Sequence, residues 1–306
     1  MKLITRSDFD GLVCAVLLEE RGLIDEYLFV HPKDIQDGLV EITSNDILAN
    51  IPYAAGCGLW FDHHTSETDR IKLKNLKYEG AISPEPSCAQ VIWDYYGGIE
   101  TFGKKLIPLL NAVNKSDSAN FDLQEIIFAE GWVLLSFIMD PRTGLGLYSD
   151  YRISNYQLMM DLIRYCHTMQ IDEILENPDV KERVDRYNEH QILHKDMLRR
   201  CSTIDRNVVI TNLLKEDRIY CGNRFIIYAS HPDQNIEIRL LWGKNKQNVV
   251  FSVGHSILNK TSKTNVGNLM LKNGGGGHHA VGTCQVPFEK WEQVFDEILE
   301  QLKQDG

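Results

Sequence analysis

Two apolar runs in this chain stop abruptly in acids and imidazoles. Leu59-Trp60-Phe61 ends in Asp62-His63-His64, and Lys2-Leu3-Ile4-Thr5 leads into Ser7-Asp8-Phe9-Asp10-Gly11. A buried strand ends this way when its carboxyl edge is a working surface, because ligands of open α/β sheets collect outside the carboxyl ends of strands. Two more acids follow apolar segments, Asp46 in Ser44-Asn45-Asp46 and Asp117 in Asn114-Lys115-Ser116-Asp117. Asp8, Asp10, Asp46, Asp117 and His63 make a mixed carboxylate–imidazole set, which suits Mn2+ and related divalent ions better than a thiolate-preferring metal. Four carboxylates brought together repel strongly, and two dications would cancel them, so the charge balance favours a two-metal centre.

The Asp-x-Asp spacing lets alternate side chains leaving a strand reach neighbouring ions while Phe9 points away. A two-metal centre lowers the pKa of a bridging water and clamps phosphoryl oxygens during in-line attack. His64 is then placed to donate to the phosphate or leaving group, and Asp62 to orient an imidazole from behind. Each feature alone has a plainer reading. Asp-Phe-Asp-Gly is usually a turn whose acid caps the next helix, paired histidines at a strand end are usually structural, and Asp46 reads as a loop or cap residue. The joint pattern of acids after successive apolar segments is what points to chemistry.

The elements that must position these groups alternate between strand and helix. An amphipathic helix with Leu12, Val13, Val16 and Leu17 on one face follows the first acids and stops at Gly22. Tyr27 to Val30, Val40 to Thr43 and Leu59 to Phe61 read as strands, and Ser87 as the N-cap of a helix through Tyr95. This alternation predicts an α/β, doubly wound, mostly parallel sheet as the catalytic domain over residues 1–175. A charged, mostly polar helical linker is expected over 176–205. A smaller C-terminal α/β domain is expected over 206–306, with strands at Val208 to Asn212, Arg224 to Ala229, Ile236 to Trp242 and Asn248 to Val253. A helix over Thr264 to Leu271 leads into Asn273-Gly274-Gly275-Gly276-Gly277-His278-His279. Glycines let backbone N–H groups approach an anion without obstruction, so Gly275, Gly276 and Gly277 with His278 and His279 are candidate substrate contacts. Arg239, His255 and Lys263 are further candidates, while His190 and His194, one helical turn apart, are read as structural.

A length of 306 residues makes two domains the default. Seven cysteines with no Cys-x-x-Cys pair indicate reduced thiols, and Cys14 falls in an apolar helical pattern that reads as core packing. The chain runs directly into a strand, and no apolar stretch is long enough to cross a bilayer, so a cytoplasmic protein without a membrane partner is expected. The net charge of −11 opposes binding of long duplex nucleic acid, which rests on many phosphate contacts. A small anionic substrate is still admitted, because bound cations reverse the local potential.

Taken in order, Asp8-x-Asp10, Asp46, Asp62-His63-His64 and Asp117 resemble the DHH phosphoesterase family, and the glycine run ending in His278 resembles its DHH-associated C-terminal domain. The resemblance implies a parallel-sheet catalytic domain and a smaller substrate-binding domain facing each other across a cleft. It makes Asp8, Asp10, Asp46, His63 and Asp117 metal ligands, with Asp46 bridging, and sets His64 against the scissile phosphate. The family includes short-oligonucleotide exonucleases, 3′-phosphoadenosine 5′-phosphate phosphatases, cyclic-dinucleotide phosphodiesterases and exopolyphosphatases. Two positions depart from it: Ile4 stands where many members carry His, and Arg6 where others carry an acid, so one metal loses a protein ligand unless His31 compensates. The glycine motif is one residue shorter than usual between His278 and Ala280-Val281-Gly282. The expected function is metal-dependent hydrolysis of short single-stranded oligonucleotides or small phosphorylated nucleotides. Mn2+ is the expected metal as one or two ions, with Mg2+ or another divalent ion as the alternative, and a homodimer is admitted. An exopolyphosphatase or a catalytically silent nucleotide-binding protein are the competing readings.

Overall fold

A computed structural model describes residues 1–64, 67 and 76–306. Its chain forms two compact units, Met1–Asn120 with Ala129–Asp185, and Phe121–Phe128 with Arg186–Gly306.

The first unit is built on a five-stranded sheet in the order β2-β1-β3-β4-β5. Its strands are β1 (Lys2–Arg6), β2 (Glu26–Val30), β3 (Asp46–Ala49), β4 (Leu59–Asp62) and β5 (Gly80–Ile82), all paired in parallel. The chain steps one way from β1 to β2 and the other way to β3, so the carboxyl ends of β1 and β3 flank the switch point where such sheets bind ligands. Helix α1 (Phe9–Glu20) starts at that point, with Asp8 as N-cap accepting from the Gly11 N–H. A Cβ on Gly11 would lie 2.0 Å from the Arg6 carbonyl oxygen, so only glycine lets the helix begin this close to the strand. From Phe9 to Leu18 every residue of α1 is buried, which suits a helix enclosed on all sides. Helices α2 (Cys88–Tyr95), α3 (Ile107–Asp117) and α4 (Asn155–Thr168) pack with it. Trp60, fully buried in β4, satisfies its indole N–H on the Ile51 carbonyl.

Two expected strands are corrected. Val40 to Thr43 is not paired; Thr43 donates from both N and Oγ1 to the Asp46 carboxylate, closing a turn, and β3 begins only at Asp46. Arg224 to Ala229 lies largely in the short helix Ile226–Ser230, entered where Asn223 Oδ1 accepts from the Phe225 N–H. A short apolar run is ambiguous between strand and helix, and here the side chain of Asn223 decides.

The second unit has a six-stranded sheet in the order β10-β11-β9-β8-β7-β6. Its strands are β6 (Ser202–Asp205), β7 (Val208–Asn212), β8 (Ile236–Trp242), β9 (Asn248–His255), β10 (Gly276–His278) and β11 (Val281–Pro287), with β7–β8 as its parallel pair. One face alternates Ile236, Ile238 and Leu240 with Val249, Phe251 and Val253 into a single core. To it helices Val266–Lys272 and Trp291–Asp305 add Met270, Ile298 and Leu302. The helix α5 (Pro178–Cys201) runs unbroken for 24 residues and passes from one unit into the next between Asp185 and Arg186. Of the linker expected over 176–205, residues 178–201 form this helix, with Arg183, Tyr187, His190 and His194 buried along it, while Ser202–Asp205 is already strand β6. Among the described residues, no helix is long and apolar enough to cross a membrane. The seven cysteines are free thiols.

Candidate metal centre

Asp10 is fully buried on the first turn of α1, and its carboxylate rests on the start of another helix. Its Oδ2 accepts from the Cys88 N–H and its Oδ1 from the Ala89 N–H, both at 2.9 Å. These are first-turn donors of α2, which have no intrahelical partner, and Ser87 caps the same turn through the Gln90 N–H. Burial nevertheless raises the Asp10 carboxyl well above the usual range, and the charges of Asp117 and Asp8 add to it.

His63 approaches from the end of β4. Its Nδ1 is 3.1 Å from the Glu85 carbonyl oxygen, which fixes Nδ1 as the protonated nitrogen. That leaves the Nε2 lone pair 3.2 Å from Asp117 Oδ2 and 3.8 Å from Asp10 Oδ2. Nε2 is buried and makes no hydrogen bond. A lone pair held against two carboxylates repels them unless a cation lies between. One donor atom from each of Asp10, His63 and Asp117 falls within 4.8 Å of the others. Oxygen and imidazole nitrogen in this mixture suit a divalent ion of the Mn2+ or Mg2+ kind, so the residues fit the metal that the resemblance implies. Asp117 stands on the last turn of α3, and burial raises its carboxyl above the usual range.

Asp62 and His64 form a second pair beside this group. Asp62 Oδ1 accepts from the His63 and His64 N–H groups and lies 2.6 Å from His64 Nδ1. Asp62 Oδ2 is buried and unpartnered. Burial pulls the His64 pKa down, but the hydrogen bond and charge of Asp62, with Asp117 and Asp10, outweigh it and the net shift is upward.

Asp46 does not join them, which corrects its assignment as a bridging ligand. It opens β3 opposite Lys2, at the amino edge of the sheet, and forms a 3.1 Å ion pair with Lys2 Nζ while closing the Thr43 turn. The residue that follows β3 at the carboxyl edge is Asn50, which sequence reasoning missed. Asn50 adopts a φ of 56°, a left-handed conformation that asparagine tolerates, and its Nδ2 donates to Asp8 Oδ1 at 3.1 Å. Its signal was its position just after the apolar run Ile47-Leu48-Ala49. His31 is not free to compensate for Ile4, since its Nδ1 accepts the Lys33 N–H as a helix cap.

In the second unit, Arg239 and Gly276 share one lateral row. Register places Arg239 beside Ser252, Ser252 beside Thr283, and Thr283 beside Gly276, on the face opposite the apolar core. Arg239 is engaged there by Glu237, through Nε at 3.0 Å and Nη2 at 3.2 Å, so its charge is largely answered within the strand. Gly275 and Gly277 are required by packing: a Cβ would lie 2.0 Å from the Thr283 oxygen in one case and 2.3 Å from the Val281 oxygen in the other. Gly276 faces open space, and His278 and His279 are exposed. His255 sets its ring edge-on to His279 at 5.7 Å and binds the Thr264 carbonyl through Nε2. Burial lowers its pKa.

Among solved structures, the chain is similar over its whole length to the pGpG-specific phosphodiesterase PggH from Vibrio cholerae. Identity is 50% with a TM-score of 0.85, covering 100% of this chain and 99% of that one. RecJ from Thermus thermophilus in complex with Mn2+ shares the fold at 12% identity and a TM-score of 0.58, covering 99% of this chain and 52% of RecJ. An exopolyphosphatase-related protein from Bacteroides fragilis does so at 13% identity and a TM-score of 0.52, covering 99% and 92%. No protein-family profile matches the chain, and neither does any curated protein. A parallel sheet ending in Asp62-His63-His64, with a second mixed-sheet unit behind it in sequence, is the arrangement of a DHH phosphoesterase, and the chain belongs to that family. It is accordingly a hydrolase of phosphate ester bonds.

Proposed function

We propose that this chain hydrolyses small 5′-phosphorylated oligonucleotides of the pGpG kind, with a divalent ion, Mn2+ foremost, held by Asp10, His63 and Asp117. The observation that carries the reading is the unpartnered His63 Nε2 facing two carboxylates. The half-identical relative with pGpG specificity supports the substrate class. When bound, the ion supplies Lewis-acid activation of water and neutralises phosphoryl charge.

The chain's own residues do the rest. Asp10 is held in place by two backbone N–H groups, and His63 is held in one tautomer by the Glu85 carbonyl. Asp62 ties down His64 Nδ1, leaving Nε2 as the nitrogen that gives a proton to the leaving oxygen. In the balanced step a water oxygen bonds to phosphorus, the bond to the leaving oxygen breaks, and the proton that water gives up restores His64. Two mononucleotides result from a dinucleotide. In the second unit, the exposed Gly276, His278 and His279 edge with His255 is the proposed substrate contact, and Arg239 contributes only where Glu237 releases it.

The test is product analysis of the purified chain with Mn2+ on pGpG and, separately, on polyphosphate. Mononucleotide from pGpG is expected. Phosphate released from polyphosphate alone, with pGpG intact, would overturn the assignment.

A further inference from the structure

The charge balance read from sequence rested on four carboxylates, and the structure alters both sides of it. Asp46 is removed to the opposite edge of the sheet, and a guanidinium is added: Arg6 Nε lies 3.1 Å from Asp8 Oδ2. The other Asp8 oxygen already accepts from the Gly11 N–H at 2.9 Å and from Asn50 Nδ2 at 3.1 Å. One oxygen of Asp8 thus accepts two hydrogen bonds, and the other is ion-paired with Arg6. The amide of Asn50 turns its N–H groups, not its oxygen, toward the carboxylate, which repels a cation from that side.

Resting on the hydrolase reading above, we propose that Arg6 occupies the role of a second metal ion, so that the centre works with one divalent ion and one guanidinium. Three carboxylates, Asp8, Asp10 and Asp117, are then balanced by one dication and Arg6. A second dication would have to displace Arg6 from Asp8 and leave the group with excess positive charge. The contact to Asp8 uses Nε, so the two Nη groups of Arg6, which bond to no described residue, are available to a non-bridging phosphoryl oxygen. A guanidinium fork matches that oxygen geometry. Arg6 is half-exposed, as a group that meets incoming substrate must be.

The test counts ions first. The parent chain, stripped with chelator and equilibrated with Mn2+, is expected to retain one ion per chain and to give the electron paramagnetic resonance spectrum of an isolated ion. Two ions per chain with a spin-coupled spectrum would overturn the role of Arg6 and leave the hydrolase reading standing. Arg6→Ala is expected to keep one ion while kcat on pGpG falls about 100-fold, the usual effect of removing one charge-stabilising donor. Guanidinium ion added to the buffer should restore part of the loss. An unchanged kcat in Arg6→Ala would overturn the proposal. A parent that holds one ion but leaves pGpG intact would refute the substrate assignment while its ion count upheld the single-ion centre.

Discussion

At the scale of single residues, the same amino acid does opposite work depending on which end of a strand carries it. Asp10 and Asp46 are both buried acids next to parallel strands. Asp10 follows β1 and faces His63; Asp46 is the first residue of β3 and is answered by Lys2 and the Thr43 turn. Asp10→Asn would set an amide N–H against a backbone N–H of α2 and remove a charge from the ion's surroundings. Mn2+ affinity, measured by titration, is expected to fall more than about 100-fold, beyond the loss typical of outer-lying partners. Asp46→Asn should leave hydrolysis near the parent rate and cost about 1–3 kcal/mol in urea unfolding, the range for a buried polar group that loses its partner. Loss of activity in Asp46→Asn without loss of stability would return Asp46 to the site.

Among the elements, helix α2 carries more than packing, because its first turn supplies the two N–H groups that hold Asp10. Ser87 keeps that turn wound, accepting from the Gln90 N–H and donating to Asn114 Oδ1 at 2.6 Å. Ser87→Ala is expected to destabilise the fold by about 1–2 kcal/mol, as loss of an N-cap does, and to weaken Mn2+ binding in parallel. Titration and urea unfolding on one preparation check both; weaker stability with unaltered Mn2+ affinity would show that Asp10 does not depend on the cap. The elements also explain what the sequence made legible. Asp8, Asp10 and His63 could be singled out because their strands are short, apolar and followed at once by polar residues, but only Asp10 and His63 fall with Asp117 in one cluster, while Asp8 caps α1 and pairs with Arg6. Asp46 was misplaced because two apolar runs, Val40 to Thr43 and Ile47 to Ala49, competed for one strand. Only pairing with β1 decides between them, and that decision moves the acid from the carboxyl edge to the amino edge. Asn50 and Arg6 were hidden for the same reason: their roles arise from residues more than forty positions away or from a turn geometry that spacing does not encode. The Gly-rich motif was legible as a motif, yet the sheet accounts for Gly275 and Gly277 by close packing alone.

For the whole molecule, stability should depend on pH through a buried histidine far from any acid of the metal centre in sequence. His194 is on α5, its Nδ1 bonded to the Tyr220 carbonyl and its ring against Gly222, where a Cβ would lie 2.3 Å away. Burial pushes its pKa down to about 4, with the nearby charges of Arg239, His190 and Lys195 adding to the shift. Below its ordinary value near 6.5 the unfolded chain takes up a proton that the folded chain refuses. Its contribution is therefore full above about pH 6.5 and falls by about 3 kcal/mol as the pH drops to about 4. Urea unfolding at several pH values is expected to show a flatter dependence in His194→Gln than in the parent. Equal slopes would refute the assignment.

The central claim is that Asp10, His63 and Asp117 converge to hold a divalent cation. Anomalous diffraction from crystals grown with Mn2+ reads this directly. A manganese peak is expected bonded to His63 Nε2 and to carboxylate oxygens of Asp10 and Asp117, with none at Asp46. Manganese bound at Asp46, or no peak beside His63 in crystals of active protein, would contradict it.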